Sequence, residues 1–152
     1  MKYLVTVGTT AFDSLVRVLD TELKGLEIEI IFQIGEGKYT PQNFEFFHYT
    51  SNILDKYEDY VFITHAGAGT VFSLLDKERR FIAIPNLERK DKHQIELANY
   101  LDVNNYAEVC YDIDELVVVI KNSIVREANY AKYEKVEFFK GDDISLNIKR
   151  SL

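Results

Sequence analysis

The feature that most constrains this chain is a junction near its middle. Tyr60-Val61-Phe62-Ile63 is an apolar run that reads as a buried strand. It stops at the small-residue turn Thr64-His65-Ala66-Gly67-Ala68-Gly69, and from Thr70 the pattern Thr70-Val71-Phe72-Ser73-Leu74-Leu75 reads as a helix. Strand, glycine turn and helix in that order point free backbone N–H groups and the positive end of the helix dipole at one spot, which is how backbone holds an anion. The turn is expected to hold the phosphates of a nucleotide ligand, with the other site residues around it. A close strand–helix crossing with no ligand asks for the same small residues, so the turn alone leaves both readings open.

The remainder of the chain alternates in the same way. Tyr3 to Val7 reads as a first strand ending at Gly8-Thr9-Thr10, followed by a helix with apolar positions Phe12, Leu15, Val16, Leu19 and Leu23, capped by Thr10 or Asp13 and ended by Lys24-Gly25. Ile28 to Ile34 is a second strand that stops at Gly35-Glu36-Gly37. Lys38 to Asn43, with Pro41, is a loop, Phe44 to Tyr49 holds a short third strand, and Thr50 or Ser51 caps a brief helix through Tyr57. Beyond the central junction come strands over Phe81 to Ile84 and Ala107 to Tyr111. A helix over Lys92 to Leu101 lies between them, and another from Asp112 or Asp114 runs on toward Tyr130. Short apolar strands without strict alternation, each followed by a helix, belong to a parallel sheet covered on both faces. The pattern predicts a single α/β Rossmann-like domain over residues 1–152 with a mostly parallel sheet and a weakly patterned tail from about 134. Ligands of such sheets bind beyond the carboxyl ends of the strands, here the loops Gly8–Thr10, Gly35–Lys38, His65–Thr70 and Pro85–His93.

The totals narrow the function classes. A length of 152 residues allows one sizeable core, and a net charge of −7 argues against a broad nucleic-acid footprint, so no nucleic-acid partner is expected. An anion can still be held locally. The N-terminus reads as a strand rather than a leader, and no apolar run approaches the ~20 residues of a membrane span, so the expected location is cytoplasmic. The one cysteine, Cys110, lies in an apolar run and reads as a buried structural thiol. His48, His65 and His93 are too far apart in sequence to argue for zinc, and neither a metal nor another cofactor is expected.

Three motifs carry candidate chemistry. Gly8-Thr9-Thr10 follows a strand but lacks the full G-x-G-x-x-G pattern, and no G-x-x-x-x-G-K-[ST] is present, so nucleotide hydrolysis of that type is disfavoured. In the central turn, Gly67 and Gly69 let the backbone approach an anion. Thr70 can donate its hydroxyl to a phosphate oxygen, and His65 stands at a strand end as a candidate base, a ligand contact or simply a satisfied polar residue. His93-Gln94 opens a helix after a charged loop, where an amide that both donates and accepts suits sugar hydroxyls.

Taken together these segments resemble a known family. Leu4 to Thr10 with Phe12-Asp13, then Ile63 to Thr70, then Asp91-Lys92-His93-Gln94-Ile95-Glu96-Leu97-Ala98 are similar, in that order and over roughly residues 3 to 110, to the family-28 glycosyltransferase C-terminal domain. The nearest members in kind are the PssE-type soluble subunits of bacterial polysaccharide synthesis and the soluble subunit of the eukaryotic UDP-N-acetylglucosamine transferase of N-glycan assembly. The resemblance implies the donor half of a GT-B enzyme. Such a subunit moves a hexose or N-acetylhexosamine from a UDP-sugar to a polyprenyl-diphosphate-linked acceptor in surface polysaccharide synthesis. A separate membrane-anchored subunit supplies the acceptor half, so this chain would sit at the inner membrane face through that partner, with a homo-oligomer as a further form when isolated.

By position, the resemblance assigns Gly8, Thr9 and Thr10 to the cleft near the sugar or its phosphates. It gives Ala66, Gly67, Ala68, Gly69 and Thr70 the diphosphate, His65 a catalytic part, and His93 and Gln94 the donor sugar. Relatives often carry glutamate three positions after the motif's hydroxyl, where it binds the ribose; this chain has Ser73 there, with Asp76 as a substitute. Two other readings remain beside this one: a non-catalytic accessory subunit that activates a partner glycosyltransferase, and a nucleotide-binding domain unrelated to sugar transfer. The aromatic pair Phe138-Phe139 belongs to a C-terminal region that reads as a partner surface or as a closing segment packed on the sheet.

Overall fold

The computed structural model describes residues 1–90, 92–123 and 130–134. Six strands form one all-parallel sheet: β1 (Lys2–Thr6), β2 (Glu29–Gln33), β3 (Glu45–Phe47), β4 (Val61–Thr64), β5 (Phe81–Ala83) and β6 (Glu108–Val109), in the order β3-β2-β1-β4-β5-β6. The helices are α1 (Asp13–Glu22), α2 (Ile53–Lys56), α3 (Ala68–Asp76), α4 (His93–Val103) and α5 (Ile113–Ser123). The order reverses at β1, which pairs with β2 on one side (Val5 opposite Phe32) and β4 on the other (Val5 opposite Ile63). That reversal opens a crevice beyond the carboxyl ends of β1 and β4.

Both faces of the sheet are buried, which is why its strands read as continuous apolar runs. Tyr3, Val5 and Val7 of the β1 segment, Ile30 and Phe32 of β2, Ile63 and Ile82 point to one side, against Leu15, Leu19 and Leu23 near α1 and Leu116 and Ile120 of α5. Leu4, Ile31, Phe62, Phe81 and Ala83 point to the other, against Leu54 of α2, Val71 and Leu74 of α3, and Leu97 and Leu101 of α4. Cys110 is buried on the first side, where burial and then the nearby Glu115 and Glu108 push its thiol up to about 12. It is inert at neutral pH, as its apolar setting suggests.

Several expected boundaries shift. α1 begins after Phe12 with no side-chain cap. The Thr10 hydroxyl donates instead to Val7 O at 2.8 Å, and the Asp13 carboxylate accepts from Lys38 N at 3.1 Å and Tyr39 N at 3.3 Å, so both candidate caps serve loop contacts. Neither Thr50 nor Ser51 caps α2; Asn52 precedes it in a left-handed conformation. The central helix starts at Ala68, two residues before Thr70, and α4 starts at His93 and runs to Val103. Asp112 does cap α5, its Oδ1 accepting from Asp114 N at 2.7 Å. The extension toward Tyr130 falls partly, and Phe138-Phe139 wholly, outside the described residues.

One buried carboxylate organises the loop after β2. Asp20 accepts from the Tyr39 hydroxyl (2.6 Å), Gln42 N (2.8 Å) and Asn43 N (2.9 Å). Burial pushes its pKa up, but hydrogen bonds from Gln42, Tyr39 and Asn43 outweigh that and hold it below the ordinary 3.8. A lowered pKa means that the stabilisation is complete above the ordinary value and is lost as pH falls through the folded one. Asp20→Ala is therefore expected to cost about 3 kcal/mol at pH 7, because three donors lose a charged acceptor. In urea unfolding at pH 7 and pH 3 the gap from the parent protein should narrow at the lower pH.

Candidate functional site

Polar residues are buried at one end of the sheet. Among the described residues the buried polar side chains are Thr6, Asp20, Gln33, Thr64, His65 and Asn86, and all but Asp20 lie where a strand ends or just beyond. Burial of such groups is tolerated only when they are paired. Gln33 Nε2 donates to Thr6 Oγ1 at 2.7 Å, the same oxygen accepts from Gly8 N at 3.1 Å, and Gln33 Oε1 accepts from Thr50 N at 3.1 Å. This network braces the turn after β1 and the loop after β3 from beneath.

The turn between β4 and α3 stands beside it. Gly67 is the N-cap in extended conformation, no side chain caps the helix, and the first helical bond runs from Val71 N to Gly67 O at 3.0 Å. The amides of Ala68, Gly69 and Thr70 precede the first donor that a helix can satisfy internally, and they point out of its N-terminus. Ala66 is buried with φ of 66°, a left-handed conformation that costs a residue with a Cβ about 1 kcal/mol and that the surrounding turn imposes.

His65 lies under this turn. A Cβ on Gly67 would sit 2.8 Å from both Cε1 and Nε2 of the imidazole, and one on Gly8 3.5 Å from Cε1, so the two glycines leave the ring its space. Thr64 Oγ1 is 3.5 Å from Nδ1. Burial pushes the His65 pKa down from 6.5; a hydrogen bond to the Thr6 backbone opposes this, and the charge of Arg89 adds to the lowering. The ring is neutral at pH 7. A base with a lowered pKa contributes stability that is complete above 6.5 and is lost as pH falls through the folded value. Thermal unfolding should show Tm falling between pH 7 and pH 5 more steeply for the parent chain than for His65→Gln.

The crevice itself is a cleft of about 480 Å³. Gly8 and Thr9 form one wall, Tyr49 and Asn52 through Asp55 another, and Gly69, Thr70, Ser73 and Lys77 run along it on α3 and its C-cap. Residues 69, 73 and 77 are successive turns of one helix face. At the end away from Gly67, Lys77 Nζ meets Asp55 Oδ1 at 3.0 Å.

The structure thus brings Gly8, Thr9, Gly69, Thr70 and Ser73 to one cleft and places Ala66, Gly67 and Ala68 in the turn at its head. His65 supports that turn from below. Thr10, His93 and Gln94 do not line the cleft. Gln94 Oε1 accepts from Asn86 N at 2.9 Å, and His93, its side chain 83% exposed, faces Glu96 at 3.8 Å. Ser14 Oγ donates to Glu88 Oε1 at 2.7 Å, joining the loop before α4 to α1, and α2 rather than the Pro85–His93 loop lines the cleft. Gly35–Lys38 packs on the turn after β1 and on Asp13. Asp91 lies outside the described residues. Sequence reasoning missed Tyr49, Asn52, Asp55, Lys77 and the Thr6–Gln33 brace; a glutamine closing an isoleucine-rich strand was the one available signal.

Comparison with known proteins bears on the family and the fold. The model of the glycosyltransferase family 28 C-terminal domain matches residues 3–142. The chain belongs to this family. Human UDP-N-acetylglucosamine transferase subunit ALG13 is 31% identical over 121 residues, covering 70% of this chain and 11% of that protein. The Candida albicans protein of the same name is 37% identical over 79 residues, covering 51% of this chain and 26% of its own length. This family-28 chain therefore spans only a tenth to a quarter of these relatives. Among solved structures, Acinetobacter baumannii MurG superposes with a TM-score of 0.64 at 20% identity over 81% of this chain and 41% of that one. The fold is that of one Rossmann-like half of a GT-B glycosyltransferase.

Proposed function

We propose that this chain is the donor-binding subunit of a two-component glycosyltransferase. It moves a hexose or N-acetylhexosamine from a UDP-sugar to a polyprenyl-diphosphate-linked acceptor in surface polysaccharide synthesis. A membrane-anchored partner binds that acceptor and holds the chain at the inner membrane face. The observation that carries the reading is the uncapped N-terminus of α3 at the head of the cleft. Family membership and the name of the ALG13 relatives, a UDP-N-acetylglucosamine transferase subunit, support it. Among the described residues no helix is long and apolar enough to cross a membrane, in keeping with an anchor supplied by another chain.

The mechanism is leaving-group stabilisation. As the bond from the anomeric carbon to the diphosphate breaks, negative charge grows on UDP, and the amides of Ala68, Gly69 and Thr70 with the Thr70 hydroxyl are oriented before that charge develops. Gly8 and Thr9 close the other side of the diphosphate, and Thr10 fixes their turn. His65 acts through the loop, its neutral ring holding Gly8 and Gly67 apart. His93 and the Gln94 amide nitrogen are assigned to the donor sugar. The base for the acceptor hydroxyl comes from the partner.

Calorimetric titration of the full chain tests this reading. UDP and its sugar esters should bind, uridine far more weakly, and Thr70→Val should weaken UDP by about tenfold, the worth of one hydrogen bond to a charged group. Absence of heat with millimolar UDP would contradict it. Ser73 in the cleft, a short hydroxyl where relatives often carry glutamate, favours a second reading, a non-catalytic accessory subunit that activates its partner. Activity of the reconstituted pair that survives Thr70→Val would select that alternative.

A further inference from the structure

We infer that Asp55 reads the ribose of the bound nucleotide, its carboxylate accepting from the 2′- and 3′-hydroxyls, with Lys77 as its positioning residue. The inference rests on the reading of the cleft as a nucleotide site. The open amides of α3 emerge at the head of the cleft. From Gly69 to Lys77 the cleft follows the helix for about 12 Å at 1.5 Å per residue, which is room for a nucleoside beyond its diphosphate.

Of the described residues lining the cleft, Asp55 and Lys77 alone carry charge, and they stand together two turns from the amides. A carboxylate beside the phosphates would repel them. At this distance it suits hydroxyl donors, because an ionised carboxylate only accepts and its two oxygens match a pair of vicinal hydroxyls. One contact to Lys77 does not exhaust its four lone-pair positions, while it fixes the carboxylate against α3 and offsets its charge. Ser73, one turn before Lys77, adds a hydroxyl on the same wall. The pair is largely solvent-exposed, with side chains 48% and 69% accessible, so it contributes little to folding and can be altered without loss of the fold.

The test compares UDP with 2′-deoxy-UDP on the full chain by calorimetry. The parent protein should prefer UDP by about tenfold, the worth of one hydrogen bond to a charged acceptor. Asp55→Ala should bring the two ligands within about twofold of each other at unchanged Tm. Lys77→Met, which keeps the carboxylate but frees it, should reduce the preference part of the way. Full preference retained in Asp55→Ala, or no preference in the parent, would overturn the inference while leaving the nucleotide site standing. A parent chain that binds neither ligand would remove the proposed function and this inference together.

Discussion

Gly35→Ala is expected to cost at least about 4 kcal/mol and to abolish nucleotide binding, although Gly35 does not line the cleft. Its φ of 56° is left-handed, and a Cβ there would sit 2.1 Å from Thr10 O, 2.9 Å from Gly8 O and 3.0 Å from Thr9 C. All three are backbone atoms, so no side-chain rotation relieves the clash. The turn after β1 would have to move as a unit, and it is tied down by Glu36 N donating to Thr10 O at 3.0 Å and by the Gly8–Thr6–Gln33 network. Displacing it removes one wall of the cleft. Urea unfolding reads the stability loss and UDP titration the binding loss; a change below about 1 kcal/mol would mean that the turn is not held as described.

Gly69→Ala should do the opposite to stability and the same to binding. A Cβ on Gly69 meets no protein atom within 4 Å, and the residue lies in the first turn of α3, lining the cleft. Replacing glycine by alanine in a helix is worth up to about 1 kcal/mol, so Tm should hold or rise slightly. The methyl group would stand where the diphosphate approaches the amides, and UDP affinity should fall by at least about tenfold. A protein merely destabilised by the change would lose Tm and affinity together, whereas a blocked site loses affinity alone.

Much of the fold was legible because parallel strands buried on both faces carry an unbroken apolar signal, as in Ile30-Ile31-Phe32 and Val61-Phe62-Ile63. Helix starts were less legible. Thr10, Asp13, Thr50 and Ser51 all have capping side chains, but long-range contacts such as Asp13 with Lys38 determine where the chain turns, and sequence does not display these. Within the candidate site, His65 to Thr70 and Gly8-Thr9 stood out because glycines ending a strand suit a close backbone approach, to a helix or to an anion alike. Asp55 and Lys77 were not: one belongs to a four-residue helix without periodicity, and the other reads as an ordinary surface lysine until α3 turns it toward the cleft. His93 and Gln94 came mainly from the family resemblance; neither lines the cleft, and Gln94 is bonded to Asn86.

Under the proposed function, the open amides at the start of α3 receive the diphosphate of a UDP-sugar. Its most direct test is a nuclear magnetic resonance titration of the isotope-labelled full chain with UDP, following the backbone amide signals. The largest shifts should fall on Ala68, Gly69 and Thr70, with smaller ones at Gly8 and Thr9. Shifts confined to the pocket at the amino ends of β5 and β6, around Arg80, Tyr106 and Tyr133, or none at saturating UDP, would contradict it.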